Sequence, residues 1–166
     1  MAYVYTSPVI GGQPMATVEV SAQHALGTIV RARDNSGNGG EAEFMYVQCS
    51  SSITQYDAVV VKGGYKIAQL TITNGLTSAE IAFAQTAMGT KDTYGWVMKG
   101  GRPIVRLALG CQPSVPLFAT ATGGVLDDVS SSVVVQGVMA ITQVTNSAGQ
   151  ATCIARFPVP FHELPG

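Results

Sequence analysis

The sequence predicts an all-β fold, a compact sandwich or barrel of about eight to eleven short strands with extended termini. Three observations carry this expectation. Short β-branched and aromatic runs recur at close spacing along most of the chain. Glycine-rich turns separate them, with 19 glycines in 166 residues. No amphipathic helix of normal length is visible, which also excludes Rossmann and TIM-barrel architectures, because their parallel strands need long crossover helices. A chain of this length holds one domain with a proper hydrophobic core. The expected organisation is an extended N-terminal arm over residues 1–15, a β domain over 16–157 and an extended C-terminal tail over 158–166.

The arm carries Pro8, Pro14 and the Gly11-Gly12 pair, which favour extended backbone over a packed element. Thr17–Val20 alternates briefly and reads as a short strand, and Ala25–Arg33 as a second. The run from Asp34 to Gly40 is a flexible loop, and Glu43–Cys49 is a clear strand that ends at Ser50-Ser51-Ser52. Ala58–Val61, the turn Lys62-Gly63-Gly64 and the return strand Tyr65–Ile72 form a β-hairpin. Asn74-Gly75 signals a turn. Ser78–Met88 fits a short helix or a strand, and the alternation of Ile81 and Phe83 favours the strand. Tyr94–Lys99 is an aromatic strand, and Arg102–Leu107 returns from it through Gly100-Gly101, with Pro103 implying an edge. Pro116–Thr122 is a further strand, and Asp127-Asp128 with the following serines forms a loop. Val133–Val144 contains Gly137, which marks a bulge or bend, and Ala151–Phe157 is the last strand.

Composition narrows the function classes. Charged residues make up 11% of the chain against roughly 25% in ordinary soluble domains. Such a surface suits either a Ser/Thr-covered β domain or a face that is covered in the working state, since interface cores are poor in Lys, Glu and Asp. The formal net charge of -1 gives no basic field, and the pairs Arg31/Arg33 and Arg102/Arg106 make no patch alone, so direct nucleic-acid binding is not expected. Cys49, Cys111 and Cys153 are odd in number and far apart, which argues for free buried thiols rather than a disulfide framework or zinc knuckle. No apolar run is long enough to span a membrane, and the first residues lack the pattern of a signal peptide, so synthesis in the cytoplasm is the expectation.

Chemistry is sparse. His24 and His162 have no metal-ligand spacing and stand far in sequence from the carboxylates. Asp127-Asp128 invites a metal or glycosidase reading, but neighbours on a strand point to opposite faces, so a solvated turn is expected. The Asp34–Gly40 loop matches only the first half of a calcium loop and lacks its terminal Glu. The glycines form no phosphate-binding motif, and Ser50–Ser52 has no nucleophile-elbow context. Phe44/Tyr46 and Tyr94/Trp96 each share one face of a strand; they could stack sugars or bases, but a core or interface role explains them more simply. No catalytic, cofactor-binding or metal-binding residues are assigned, and no cofactor is expected.

Several stretches carry a family likeness. Leu26-Gly27-Thr28-Ile29-Val30 leads into the glycine-rich loop and Glu43-Phe44-Met45-Tyr46-Val47. Ile53-Thr54-Gln55-Tyr56-Asp57-Ala58-Val59, Tyr94-Gly95-Trp96-Val97 and Arg156-Phe157-Pro158-Val159-Pro160-Phe161 follow. In texture and order the chain from His24 onward resembles the small capsid decoration (cement) proteins of tailed bacteriophages. That resemblance implies a non-enzymatic β-rich subunit that binds the outside of a capsid and stabilises contacts between major capsid protein subunits. It implies a homotrimer or dimer, localisation on the outer virion surface and termini that reach over neighbours. The arm and the tail are the segments that would do so. Neither nucleic acid nor a membrane is an expected partner. The alternatives are another virion structural component, a carbohydrate-binding β domain, or a small hydrolase or isomerase on a β-barrel.

Overall fold

The computed structural model describes residues 3–5, 14–34, 40–78, 80–145 and 149–161. The all-β expectation holds. Among the described residues there are twelve strands, one single-turn α-helix and one 3-10 turn. The strands are β1 (Tyr3–Tyr5), β2 (Ile29–Asp34), β3 (Glu41–Cys49), β4 (Ala58–Lys62), β5 (Lys66–Gln69), β6 (Glu80–Phe83), β7 (Tyr94–Gly100), β8 (Ile104–Arg106), β9 (Leu117–Ala119), β10 (Leu126–Asp127), β11 (Val134–Ala140) and β12 (Gln150–Phe161).

The first sheet runs β1-β2-β3-β5-β4-β6-β7, and a further β3–β7 pairing closes five of its strands into a small barrel. Closure is possible because β3 is long. Its first half pairs with β2, its end pairs in parallel with β5, and its other edge takes β7 over Glu43–Gln48. Side-chain parity then sorts the residues. Met45, Val47 and Cys49 of β3, Val59 and Val61 of β4, Ala82 of β6 and Val97 of β7 fill the barrel. Phe44 and Tyr46 of β3, with Trp96 and Met98 of β7, face outward into a separate cluster with Met15, Val30 and Ala32. Both faces of β3 are therefore buried, which explains why its sequence is a nearly continuous apolar run.

The second sheet runs β10-β9-β11-β12-β8. An isolated parallel bridge between Leu107 and Leu126 ties the chain leaving β8 to β10 at the other edge. The inward side chains, among them Val105, Leu117, Val135, Ala140, Cys153 and Ala155, pack with Ala58, Val60, Ile81 and Phe83 from the outside of the barrel. Gly137 sits at a register shift between Gln136 and Val138, with φ 77. The extra residue lets Val135 and Val138 both point inward, which strict alternation would forbid.

Asp57 fastens the two sheets together. It is fully buried and accepts hydrogen bonds from the Thr54 N–H at 2.7 Å, from Gln69 Nε2 at 2.6 Å and from Arg106. Gly124 lies against this carboxyl at φ 76, where any Cβ would collide with it.

The structure corrects several expectations. Arg102–Leu107 does not return along Tyr94–Lys99: β8 joins the second sheet and pairs with β12. The crossing occurs at Gly101, at φ 116, where N–H and carbonyl are both bonded to Ala155. Pro103 cannot donate to extend that pairing. Asn74-Gly75 lies in the helix Ile72–Gly75, where Thr71 and Asn74 cap each other reciprocally. Thr17–Val20 is held by a single bridge, Glu19 to Tyr94.

Both terminal boundaries also move. Within the expected arm Tyr3–Tyr5 pairs with β2, and Met15 is buried in the outward cluster. Within the expected tail β12 continues to Phe161, in register with Val134. Pro158 and Pro160 are tolerated because residues two apart turn their nitrogens to the same edge, and β8 pairs with that strand only over Gln150–Thr152. Residues 1–2, 6–13 and 162–166 of these two segments lie outside those described.

Candidate functional site

The two histidines and the acidic pair were the places to look for chemistry. His162 lies outside the described residues, as does most of the Asp34–Gly40 loop. His24 sits in the segment 14–28 that straps across the outward face of β3 and β7. Its ring meets Tyr46 edge-on at 5.1 Å and Trp96 at 5.3 Å, and its Nε2 is buried with no hydrogen-bond partner among the described residues. The strap is clasped by Tyr46: its hydroxyl donates to Glu19 Oε2 at 2.7 Å and accepts from the Gln23 N–H at 3.1 Å. Burial pushes the Tyr46 phenol up to about 12, with the Glu19 carboxylate adding to the shift. His24 thus serves as packing against a buried aromatic face. The aromatic set Phe44, Tyr46 and Trp96 is buried beneath the strap, so it offers no exposed stacking platform.

Two of the arginines stand beside carboxylates, and Arg31 shares a cleft with Arg156, Glu41 and Glu43. Arg106 is committed to Asp57, and Arg31 lies 4.0 Å from Glu43. Lys99 pairs with Glu80. Ser50 Oγ donates to the Ile67 carbonyl at 2.6 Å, a structural bond. All three cysteines are free and buried. Burial raises the Cys49 and Cys111 thiols to about 11 and that of Cys153 to about 12. They are therefore protonated at neutral pH and poor nucleophiles.

Asp127 and Asp128 behave differently from expectation. Strand neighbours point apart, but β10 ends at Asp127, so Asp128 is free to turn back. One donor atom from each carboxylate and the Cys111 sulfur lie within 4.8 Å of one another. The Asp128 N–H donates to Asp127 Oδ1 at 2.8 Å, and the Gln112 N–H to Asp128 Oδ2 at 2.9 Å. Burial, and then the hydrogen bond with Asp128, hold the Asp127 carboxyl above its ordinary value. Three donors at this spacing are compatible with a divalent cation, but both carboxylates already accept backbone N–H groups. A metal reading rests on proximity alone.

What sequence reasoning missed is the exposed apolar set. Val20, Ile29, Leu109, Val129, Met139 and Ile141 stand open to solvent. Met139 and Ile154, cross-strand partners on the outer face of β11 and β12, line a dent at the Gly137 bulge together with Arg156. Arg156 also borders a cleft of about 370 Å³ with Glu41, Glu43 and Gly101. Comparison of the chain with protein-family models, curated proteins and solved structures finds no match.

Proposed function

We propose that this chain is a non-enzymatic decoration protein that binds the outer surface of a viral capsid and stabilises contacts between major capsid protein subunits. The observation that carries the reading is the surface. A chain with 11% charged residues leaves large apolar side chains open on both sheets. Scattered apolar exposure is ordinary in soluble domains, but together with so few charges it favours a surface that is covered in use. The resemblance of the chain from His24 onward to phage cement proteins names the kind of lattice. Repetition of weak contacts over such a lattice gives firm attachment without a deep pocket. Self-association as a homotrimer or dimer belongs to the same reading.

The test is co-sedimentation of the purified chain with expanded empty capsid shells of the phage that encodes it, followed by imaging of the decorated shells. Saturable binding at fixed lattice positions, with raised thermal resistance of the shells, is the expected outcome. Binding that is absent, or that grows without saturation, would overturn the reading. The carbohydrate-binding alternative is not favoured, because three of the four aromatic residues that would serve it, Phe44, Tyr46 and Trp96, are buried beneath the strap, and Tyr94 is half-buried against them.

A further inference from the structure

Residues 14–26 of the strap cross the outward face of β3 and β7 and meet the sheet at one isolated bridge. There the Glu19 N–H donates to the Tyr94 carbonyl at 2.9 Å, and the Tyr94 N–H donates back to the Glu19 carbonyl at 2.8 Å. Of this stretch only Met15 is buried; Val18, His24 and Leu26 are half-buried, and Val20 to Gln23 are exposed. Just past Leu26 the chain is fixed again. The Gly27 N–H donates to the Tyr46 carbonyl at 2.8 Å and the Tyr46 N–H to the Thr28 carbonyl at 2.9 Å, which continues the pairing of β2 with β3. Upstream, β1 is held on β2. The stretch is thus tethered on both sides and lightly held between them.

Its contacts suit it to lift as a unit. Closure leaves His24 Nε2 buried with no hydrogen-bond partner among the described residues, a cost that water removes on opening. The Tyr46 hydroxyl holds Glu19 and Gln23 together, so loss of one contact weakens the other. A turn at Ala25–Thr28, closed by the Thr28 hydroxyl on the Ala25 carbonyl at 2.6 Å, supplies a hinge. Gly27 is left-handed there, at φ 82, and the Tyr65 ring lies where a Cβ would stand. Tyr65 is itself left-handed, at φ 57, and reaches the hinge from the tip of the β4–β5 hairpin. Beneath the strap, the pairing of β3 with β7 over Glu43–Gln48 uses none of these bonds.

We propose that residues 14–26 form a lid that lifts from the barrel as one unit, about a hinge at Ala25–Gly27 clamped by Tyr65, and uncovers the Tyr46 and Trp96 rings while the barrel stays paired. Segments with few buried apolar contacts and exposed backbone open at lower free energy than the core they cover. Access to the aromatic face is then governed by the lid. The inference goes beyond the capsid reading and does not rest on it.

The test is native-state hydrogen exchange on the full-length chain labelled with ¹⁵N. After correction for intrinsic rates, the Glu19, Gln23 and Tyr94 amides should exchange together, about tenfold or more faster than the ladder amides of β4 and β6. Tyr46→Phe should speed all three by about tenfold. Tyr65→Gly, which removes the ring and keeps the left-handed backbone, should speed them in the same sense. Val135→Ala, in the core between the barrel and the second sheet, should speed the β4 and β6 amides and leave the three lid amides unmoved. Melting curves check that each variant is folded. Lid amides no faster than the ladder amides, or moving with them in Val135→Ala, would show that the strap leaves only on global unfolding and would overturn the proposal. So would a Tyr46→Phe response confined to Gln23, whose amide loses its acceptor, since the contacts would then break one at a time.

Discussion

Asp57 and Thr93 are the buried polar or charged residues among those described, and Asp57 carries the larger network. It is fully buried, and its carboxylate gathers three donors from separate parts of the chain. Asp57→Ala would leave Arg106 and Gln69 facing an empty acceptor position, at a cost of about 3 kcal/mol in a chemical-denaturation experiment. Gly124→Ala should cost about 2 kcal/mol or more, because the new methyl meets the same carboxyl and the backbone is left-handed there. The thiols give a pH prediction. A folded-state value above the ordinary 9.0 means the native state keeps its protons longer than the unfolded chain. Their contribution is fully present below about 9 and is lost as pH rises toward 11 and 12, so stability should fall across that alkaline window. At neutral pH an aromatic disulfide reagent should label no cysteine until the chain unfolds, then all three. Asp127 shifts the same way within the acid range, so stability should rise as pH falls through its folded value. Asp127→Asn should melt no lower than the wild-type chain at neutral pH, and the difference should vanish in acid. Little of this residue-scale detail was legible in the sequence. Asp57 sits in an unremarkable Gln-Tyr-Asp-Ala stretch, and its partners lie 12 and 49 residues away. The convergence of Asp127 and Asp128 depends on a strand ending between them, which alternation alone does not reveal.

At the scale of elements the sequence was far more informative, because burial on one or two faces writes itself as periodicity. The hairpin of β4 and β5, the strand β6 in an ambiguous stretch, and the bulge at Gly137 all followed from local pattern and glycine placement. What failed was partner choice. The turn at Gly100-Gly101 looked like a hairpin, yet the chain changes sheets there, since pairing depends on Ala155 far along the sequence. Deleting Gly137 should invert the facing of either Val135 or Val138 relative to the inward set. A loss of about 2–4 kcal/mol in denaturant is expected from turning a core valine outward and a polar neighbour in. The strap of residues 14–28 is a second element-scale feature, and Trp96, the single tryptophan, reports on it. Removing the Tyr46 clasp by Tyr46→Phe should redshift Trp96 emission as water reaches the aromatic face. An unchanged spectrum would show that apolar packing alone holds the strap.

For the whole molecule, the composition and the fold point the same way. A barrel and a second sheet share one apolar layer, and the side chains left outside are poor in charge. The N-terminal segment enters this argument with a revised boundary. Because Met15 belongs to a core cluster, a truncation that tests the arm must stop before Pro14. Removing residues 1–13 should leave the melting temperature within about 4 °C of the full chain, since only the three-residue edge strand β1 is lost from the described sheet. The same truncation should weaken attachment to shells. The central claim is tested most directly by quantitative binding of the intact chain to expanded empty shells, with occupancy counted by imaging. The account predicts saturation at one repeated lattice position and shells that withstand higher temperature. Shells that remain bare at saturating protein, or that are no more resistant when decorated, would contradict it.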